Sequence, residues 1–166
     1  MFIHLLRHGI AEDPRPGVDD ADRALTDEGW KRLRRSAPAW RSLVETPDVV
    51  LVSPLRRARE TATAFVEAVH FRGELRIEKA LLPGAAASEA CALLEAECLS
   101  GQKSVALVGH EPHLGYLLGL LLTGNPRLPI PMKKGMLVAV ETQSIASLAA
   151  ELRFALTHRV AAKFDG

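Results

Sequence analysis

Two histidines and several arginines recur at equivalent places in the chain, each time just after a short apolar run. Arg7-His8-Gly9 follows Phe2–Leu6, Ser53-Pro54-Leu55-Arg56-Arg57 follows Val49–Val52, and Gly109-His110-Glu111-Pro112-His113 follows Val105–Val108. Two or three guanidinium groups brought together form a site for a tetrahedral dianion such as phosphate. A neutral imidazole beside them can attack phosphorus and carry the phosphoryl group until water removes it. The arginines then act twice: they stabilise charge on the equatorial oxygens of the transition state, and they disfavour imidazolium, keeping His8 nucleophilic near neutral pH. Gly9 permits a close backbone approach beside the nucleophile. On chemistry alone Arg56 and Arg57 compete for the role of second phosphate-binding arginine.

These clusters converge only if the apolar runs are parallel strands of one sheet. Phe2–Leu6, Val49–Val52, Val105–Val108 and Met136–Val140 are short, rich in Val and Leu, and do not alternate. Strands covered on both faces have this character. Helical spacing lies between them: Trp30, Leu33, Ala37, Trp40 and Val44; Ala58, Ala62, Phe65, Val66 and Val69; Cys91, Leu94, Cys98 and Leu99; and Leu114, Leu117, Leu118 and Leu121. Thr26 reads as an N-cap before the acidic turn Asp27-Glu28. Ser53-Pro54 reads as N-cap followed by proline at the first helical position, with Pro112 placed the same way. Ser88-Glu89 opens the third helix, and Pro38 predicts a break in the first. Glu151–Leu156 alternates as a half-wet edge strand, and Asn125 to Pro131 is a loop. The alternation of strands and helices predicts an α/β three-layer sandwich, a mostly parallel central sheet flanked by helices. Ligands bind at the carboxyl edge of such a sheet, and there the three polar clusters fall. Helix N-termini following Ser53 and His110 would add backbone N–H groups.

Bulk properties exclude several other classes. The 166 residues suit one domain, taken as 1–166. Net charge is +1, so no global field favours nucleic acid or an acidic membrane. The 15 Arg against 6 Lys hint at oxyanion binding, although a GC-rich genome has the same effect. Cys91 and Cys98 would lie roughly 10 Å apart along a helix, too far for a disulfide. They read as core thiols of a reducing, cytoplasmic setting. No leader pattern is visible. The most apolar run, Leu114 to Leu122, is about half a membrane span. His4 reads as a packed core residue and His113 as a helix-surface residue.

Four segments in order resemble the histidine phosphatase superfamily, the phosphoglycerate mutase-like fold. They are Leu6-Arg7-His8-Gly9, Arg23-Ala24-Leu25-Thr26-Asp27-Glu28-Gly29, Ser53-Pro54-Leu55-Arg56-Arg57-Ala58-Arg59-Glu60-Thr61-Ala62, and Val108-Gly109-His110-Glu111-Pro112. Chain length and Lys133-Lys134-Gly135 are most similar to the small SixA-type phosphohistidine phosphatases. The resemblance implies that His8 is the nucleophile and that Arg7 and Arg57 hold the phosphoryl oxygens. It implies that His110 contacts the phosphoryl group in the transition state and that Arg23 is a further phosphate-facing arginine. It selects Arg57 over Arg56, assigns no role to Lys134, and implies catalysis without metal or other cofactor.

One departure carries information. Larger relatives acting on phosphate esters place a glutamate general acid in the middle segment, where this chain reads Leu81-Leu82-Pro83-Gly84-Ala85-Ala86-Ala87. An alkoxide leaving group without a placed acid loses about 10²–10⁴ in rate, whereas the imidazole of a phosphoramidate leaves more easily. The gap favours phosphohistidine on a protein, such as a phosphotransfer domain, unless Glu12, Asp13 or Glu111 supplies the acid. The alternatives are a phosphatase of small esters or anhydrides and a non-catalytic phosphate-binding module.

Overall fold

The computed structural model describes residues 1–73 and 75–164; Glu74, Asp165 and Gly166 of the expected 1–166 span lie outside the described residues. Its centre is β1 (Phe2–Arg7), whose side chains are buried on both faces. Ile3 and Leu5 point to one hydrophobic layer and Leu6 to the other. The remaining strands are β2 (Val49–Val52), β3 (Leu75–Ile77), β4 (Ser104–Gly109), β5 (Leu137–Glu141) and β6 (Glu151–Leu156). They form one sheet in the order β3-β2-β4-β1-β5-β6. The first four in that order are parallel, and β5 runs antiparallel to both β1 and β6. The mixed, mostly parallel sheet read from the apolar runs is therefore the one observed.

Helices α1 (Asp27–Leu43), α2 (Arg56–Ala68) and α5 (His158–Ala161) cover one face, with Leu33, Trp40 and Phe65 as the large buried side chains. Trp40 and Phe65 meet edge to face at 5.6 Å, a favoured aromatic geometry. Helices α3 (Ala87–Leu99) and α4 (His113–Thr123) cover the other face through Leu94, Leu114, Leu117 and Leu121. The leucine-rich run thus ends in the core, and no helix among the described residues is long and apolar enough to cross a membrane.

Several local expectations are corrected. Helix α1 is continuous through Pro38, because Leu33 and Ser36 before it and Ala39 and Trp40 after it are all buried and hold both halves on one axis. Thr26 does cap it, accepting from the Gly29 N–H at 3.0 Å. Ser53 does not cap α2, which starts at Arg56 with Leu55 in the cap position; its hydroxyl is used elsewhere, as shown below. Pro112 sits one place earlier than expected, at the cap of α4. Helix α3 opens at Ala87, with the Glu89 carboxylate accepting from the Ala86 N–H. Its inward face is Ala90 and Leu94, while Cys91 and Cys98 are half-buried, and Leu99 is 84% exposed at the helix end. Strand β3 gave no apolar signal because it is a three-residue edge strand with no fully buried residue.

Gly29 shows why the turn into α1 needs a glycine. A Cβ there would lie 2.2 Å from the Ile10 carbonyl oxygen, which already accepts from the Thr26 N–H at 2.9 Å. Gly29→Ala must push the segment after His8 off α1. The expected cost is about 1–3 kcal/mol, seen as a fall of roughly 2–10 °C in Tm by calorimetry; an unchanged Tm would show that this approach is not a constraint.

Candidate active site

Backbone hydrogen bonds align the three strand ends. The His8 N–H donates to the Gly109 carbonyl and the Ser53 N–H to the Val108 carbonyl, both at 3.0 Å. The Gly9 N–H donates to Thr61 Oγ1 at 3.0 Å, and that hydroxyl donates to the Arg57 carbonyl at 2.7 Å. From the other side, the Gly135 N–H sits 3.1 Å from both the Arg7 and the His8 carbonyl oxygens. The nucleophile candidate is thus tied to β4, to α2 and to the turn before β5. Gly9 itself is tightly enclosed: a Cβ would lie 3.2–3.3 Å from Leu25 and Leu33 side-chain carbons.

His8 and His110 are 7% and 1% exposed, and their rings stand 5.0 Å apart, tilted by 52°. His8 Nδ1 is 2.7 Å from the Gly9 carbonyl oxygen. A carbonyl only accepts, so Nδ1 carries the proton and the Nε2 lone pair is left free to attack. His110 Nε2 lies 2.7 Å from Ser53 Oγ, and its buried Nδ1 has no protein partner. Burial pushes the His8 pKa down to about 4; the hydrogen bond to the Gly9 carbonyl opposes it, and the charges of Arg57, Arg7 and Lys134 add smaller downward contributions. Burial first, then His8 and Arg57, takes His110 to about 2. Both rings are neutral at physiological pH, as a nucleophile and its neighbour require.

Arg7 and Arg57 act on these rings directly, and Arg23 is joined to Arg57 through Asp20. Arg7 donates to the Met132 carbonyl at 2.6 Å and keeps its Nε free of protein partners. Arg57 is 5% exposed and donates through two nitrogens to Asp20, to its backbone carbonyl at 2.7 Å and to Oδ2 at 2.9 Å. Arg23 donates to the Glu12 carbonyl at 2.8 Å and to Asp20 Oδ1 at 2.5 Å. Arg56 is half-exposed and paired with Glu60, so of the two adjacent arginines Arg57 is the one placed near the histidines. Glu60 also accepts from the Leu25 N–H at 2.6 Å, anchoring the segment that carries Arg23. His4 is buried as expected, stacked on Phe2 with Nδ1 unpartnered. His113 is buried rather than surface-facing, because it opens α4 on the side that packs into the core.

The three candidate acids fare differently. Glu12 pairs with exposed Arg15, and Asp13 is exposed. Glu111 is half-buried, and its Oε1 accepts from the Met132 N–H at 3.0 Å. Burial raises its pKa, opposed by that N–H, by the Arg7 charge and by the Gly115 N–H. It therefore orders Met132, the residue whose carbonyl holds Arg7. Three contributors were not legible in the sequence: Asp20, hidden among Asp19, Asp20 and Asp22; Ser53 as partner of His110; and the Met132 carbonyl.

An open α/β sheet whose carboxyl edge holds two neutral histidines among arginines is chemically suited to phosphoryl transfer. Comparison with known proteins agrees. Residues 3–82 match the model of the histidine phosphatase superfamily, branch 1. The chain is 28% identical over 125 residues to the phosphohistidine phosphatase SixA of Escherichia coli K12, covering 75% of this chain and 76% of that one. It is 29% identical over 142 residues to an uncharacterised Picosynechococcus protein, covering 86% of each. A solved structure of the protein histidine phosphatase SixA with tungstate superposes with a TM-score of 0.84 at 26% identity, covering 96% of this chain and 98% of that one. The chain thus resembles the histidine phosphatase superfamily in sequence over residues 3–82 and a SixA structure in fold over nearly its whole length, a likeness that supports a phosphatase.

Two outcomes follow from the geometry. In an NMR titration, the ring resonances of His8 and His110 are expected to hold still from pH 8 down to about 5.5, since His8 takes up its proton only near 4. A ring at either position titrating near 6.5 contradicts the buried, arginine-flanked setting. Ser53→Ala, which strips His110 of its side-chain hydrogen-bond partner among the described residues, is expected to lower kcat on the order of tenfold with little change in KM. Wild-type kcat in that variant would leave the Ser53 contact without a catalytic consequence.

Proposed function

We propose that the protein is a phosphohistidine phosphatase acting without metal through a covalent intermediate on His8. The observation that carries the choice of substrate is the state of the carboxyl groups beside the histidines. Burial tends to raise the Asp20 pKa, but the N–H groups and charges of Arg23 and Arg57 prevail and hold it below the ordinary carboxylate range. Asp20 is therefore a poor acid at neutral pH. Glu111 is turned to backbone N–H groups, half-buried Glu12 is paired with Arg15, and Asp13 is on the surface. An alkoxide would leave such a site unprotonated, whereas an imidazole leaves as a stable neutral heterocycle after taking a proton from solvent.

In the proposed sequence, the His8 Nε2 lone pair attacks phosphorus and the substrate's P–N bond breaks. Arg7, Arg57 and Arg23 hold the equatorial oxygens, and His110 offers its unpartnered nitrogen to the same group. Water then attacks phosphorus, the bond to Nε2 breaks, and inorganic phosphate is released. This assigns catalytic roles to His8, Arg7, Arg57 and His110, and phosphate binding to Arg23 and Gly9. The likeness to SixA proteins supports a protein substrate such as a histidine phosphotransfer domain in a cytoplasmic signalling pathway, handled by a single domain.

The test is a substrate panel. A phosphohistidine-bearing phosphotransfer domain is expected to turn over at least about 10²-fold faster, by kcat/KM, than sugar phosphates or aryl phosphates. Faster hydrolysis of a small ester than of the phosphohistidine protein overturns the proposed substrate while leaving the covalent chemistry in place.

A further inference from the structure

Asp20 stands in an unusual position for an acidic residue: its carboxylate lies between two of the arginines that are to bind an anion. One oxygen takes Arg23 and the other takes Arg57, and its backbone carbonyl takes a second Arg57 nitrogen. The Asp20 side chain is 56% exposed, whereas the Arg57 side chain it grips is 6% exposed. The contact is therefore made at the rim of the site, by a short 3-10 turn over Asp20–Asp22 held by its own Asp19 cap. Two guanidinium groups drawn together repel each other, and both have rotatable side chains that would otherwise spread into solvent. A carboxylate between them cancels the repulsion and fixes the planes of both forks. An Arg carries five N–H donors, so Arg57 keeps three for a ligand after giving two to Asp20.

We propose that Asp20 is a positioning residue that yokes Arg57 and Arg23 into one preassembled phosphoryl-binding pair, and so joins the loop before α1 to the strand-end machinery. The proposal rests on the phosphatase reading, since it specifies how that site's anion pocket is held open and aligned. It also makes a claim opposite in sign to simple electrostatics. Removing a carboxylate from a cationic pocket raises its net positive charge, and on charge alone an anion should bind more tightly. If the carboxylate instead orders the arginines, its removal weakens anion binding, because ordering the two forks must then be done by the ligand.

The experiment measures inorganic phosphate binding by calorimetry, with the same constant checked as product inhibition. Asp20→Asn and Asp20→Ser are compared with the wild type, and thermal unfolding is followed in each. Asp22→Asn is the control, removing the same charge from the same turn at an exposed residue whose carboxylate forms no ion pair with Arg23 or Arg57, both of which pair with Asp20. Both Asp20 variants are expected to bind phosphate on the order of tenfold more weakly, with KM raised more than kcat is lowered, while Asp22→Asn binds as tightly as the wild type or more so. Two neutral replacements keep the test open should one of them fold poorly. Equal or tighter binding in a folded Asp20 variant overturns the proposal and makes Asp20 an internal competitor of the phosphoryl group. Absence of phosphate binding in the wild type overturns the pocket reading itself, which separates that failure from a failure of the yoke.

Discussion

The parallel pairing of β1, β4 and β2 is the constraint on which the site depends. Leu6 pairs with Val108, which pairs with Val52 on the other side. These three strands therefore end at nearly the same level, and the residue after each end lies at one edge. Arg7 and His8, Ser53, and His110 are neighbours in space for that reason alone, although they come from segments about fifty residues apart. A one-residue slip in a sheet buried on both faces would exchange the two core layers and disperse the cluster. The same hydrophobic burial that stabilises the domain thus fixes the distance between the two imidazoles.

Electrostatics then determines what the assembled residues can do. Positive charge is concentrated near His8 by Arg57, Arg7 and Lys134, and both histidines are kept neutral mainly by burial, with Arg57 adding to the effect on each. A phosphoryl dianion supplies what the site lacks, and His8 meets it with its proton already committed to the Gly9 carbonyl. The acidic residues close by are bonded to the site's framework: Asp20 pairs with Arg57 directly, and Glu111 accepts from Met132, whose carbonyl takes Arg7. The proposed division is one of labour: histidines carry the phosphoryl group, arginines bind it, and carboxylates hold the arginines.

How much of this could be read in the chain depended on the range of each interaction. The strand ends were legible because a run such as VALVG carries both its burial and its stop signal locally. His8, His110 and the arginines were legible because their chemistry is specific and they follow those runs. Pro38 misled, since its missing N–H is a local property, whereas the packing of Leu33 and Trp40 that keeps α1 straight comes from elsewhere in the fold. Ser53 misled in the same way: its capping preference is local, and His110 is 57 residues away. Asp20 could not be singled out from Asp19 and Asp22 because only the turn of the loop decides which of the three faces Arg57. Sequence marks the candidate reactive residues more openly than the groups that contact them.

The central claim is that His8 carries the phosphoryl group. It is tested most directly by rapid quench with a phosphotransfer domain labelled on its phosphohistidine phosphorus, followed by mapping of label on this protein. The expected result is an acid-labile, base-stable phosphoryl group on His8 that forms and decays at rates consistent with turnover and is absent, together with activity, in His8→Ala. Undiminished turnover in His8→Ala, or transient label on a different residue, would contradict it.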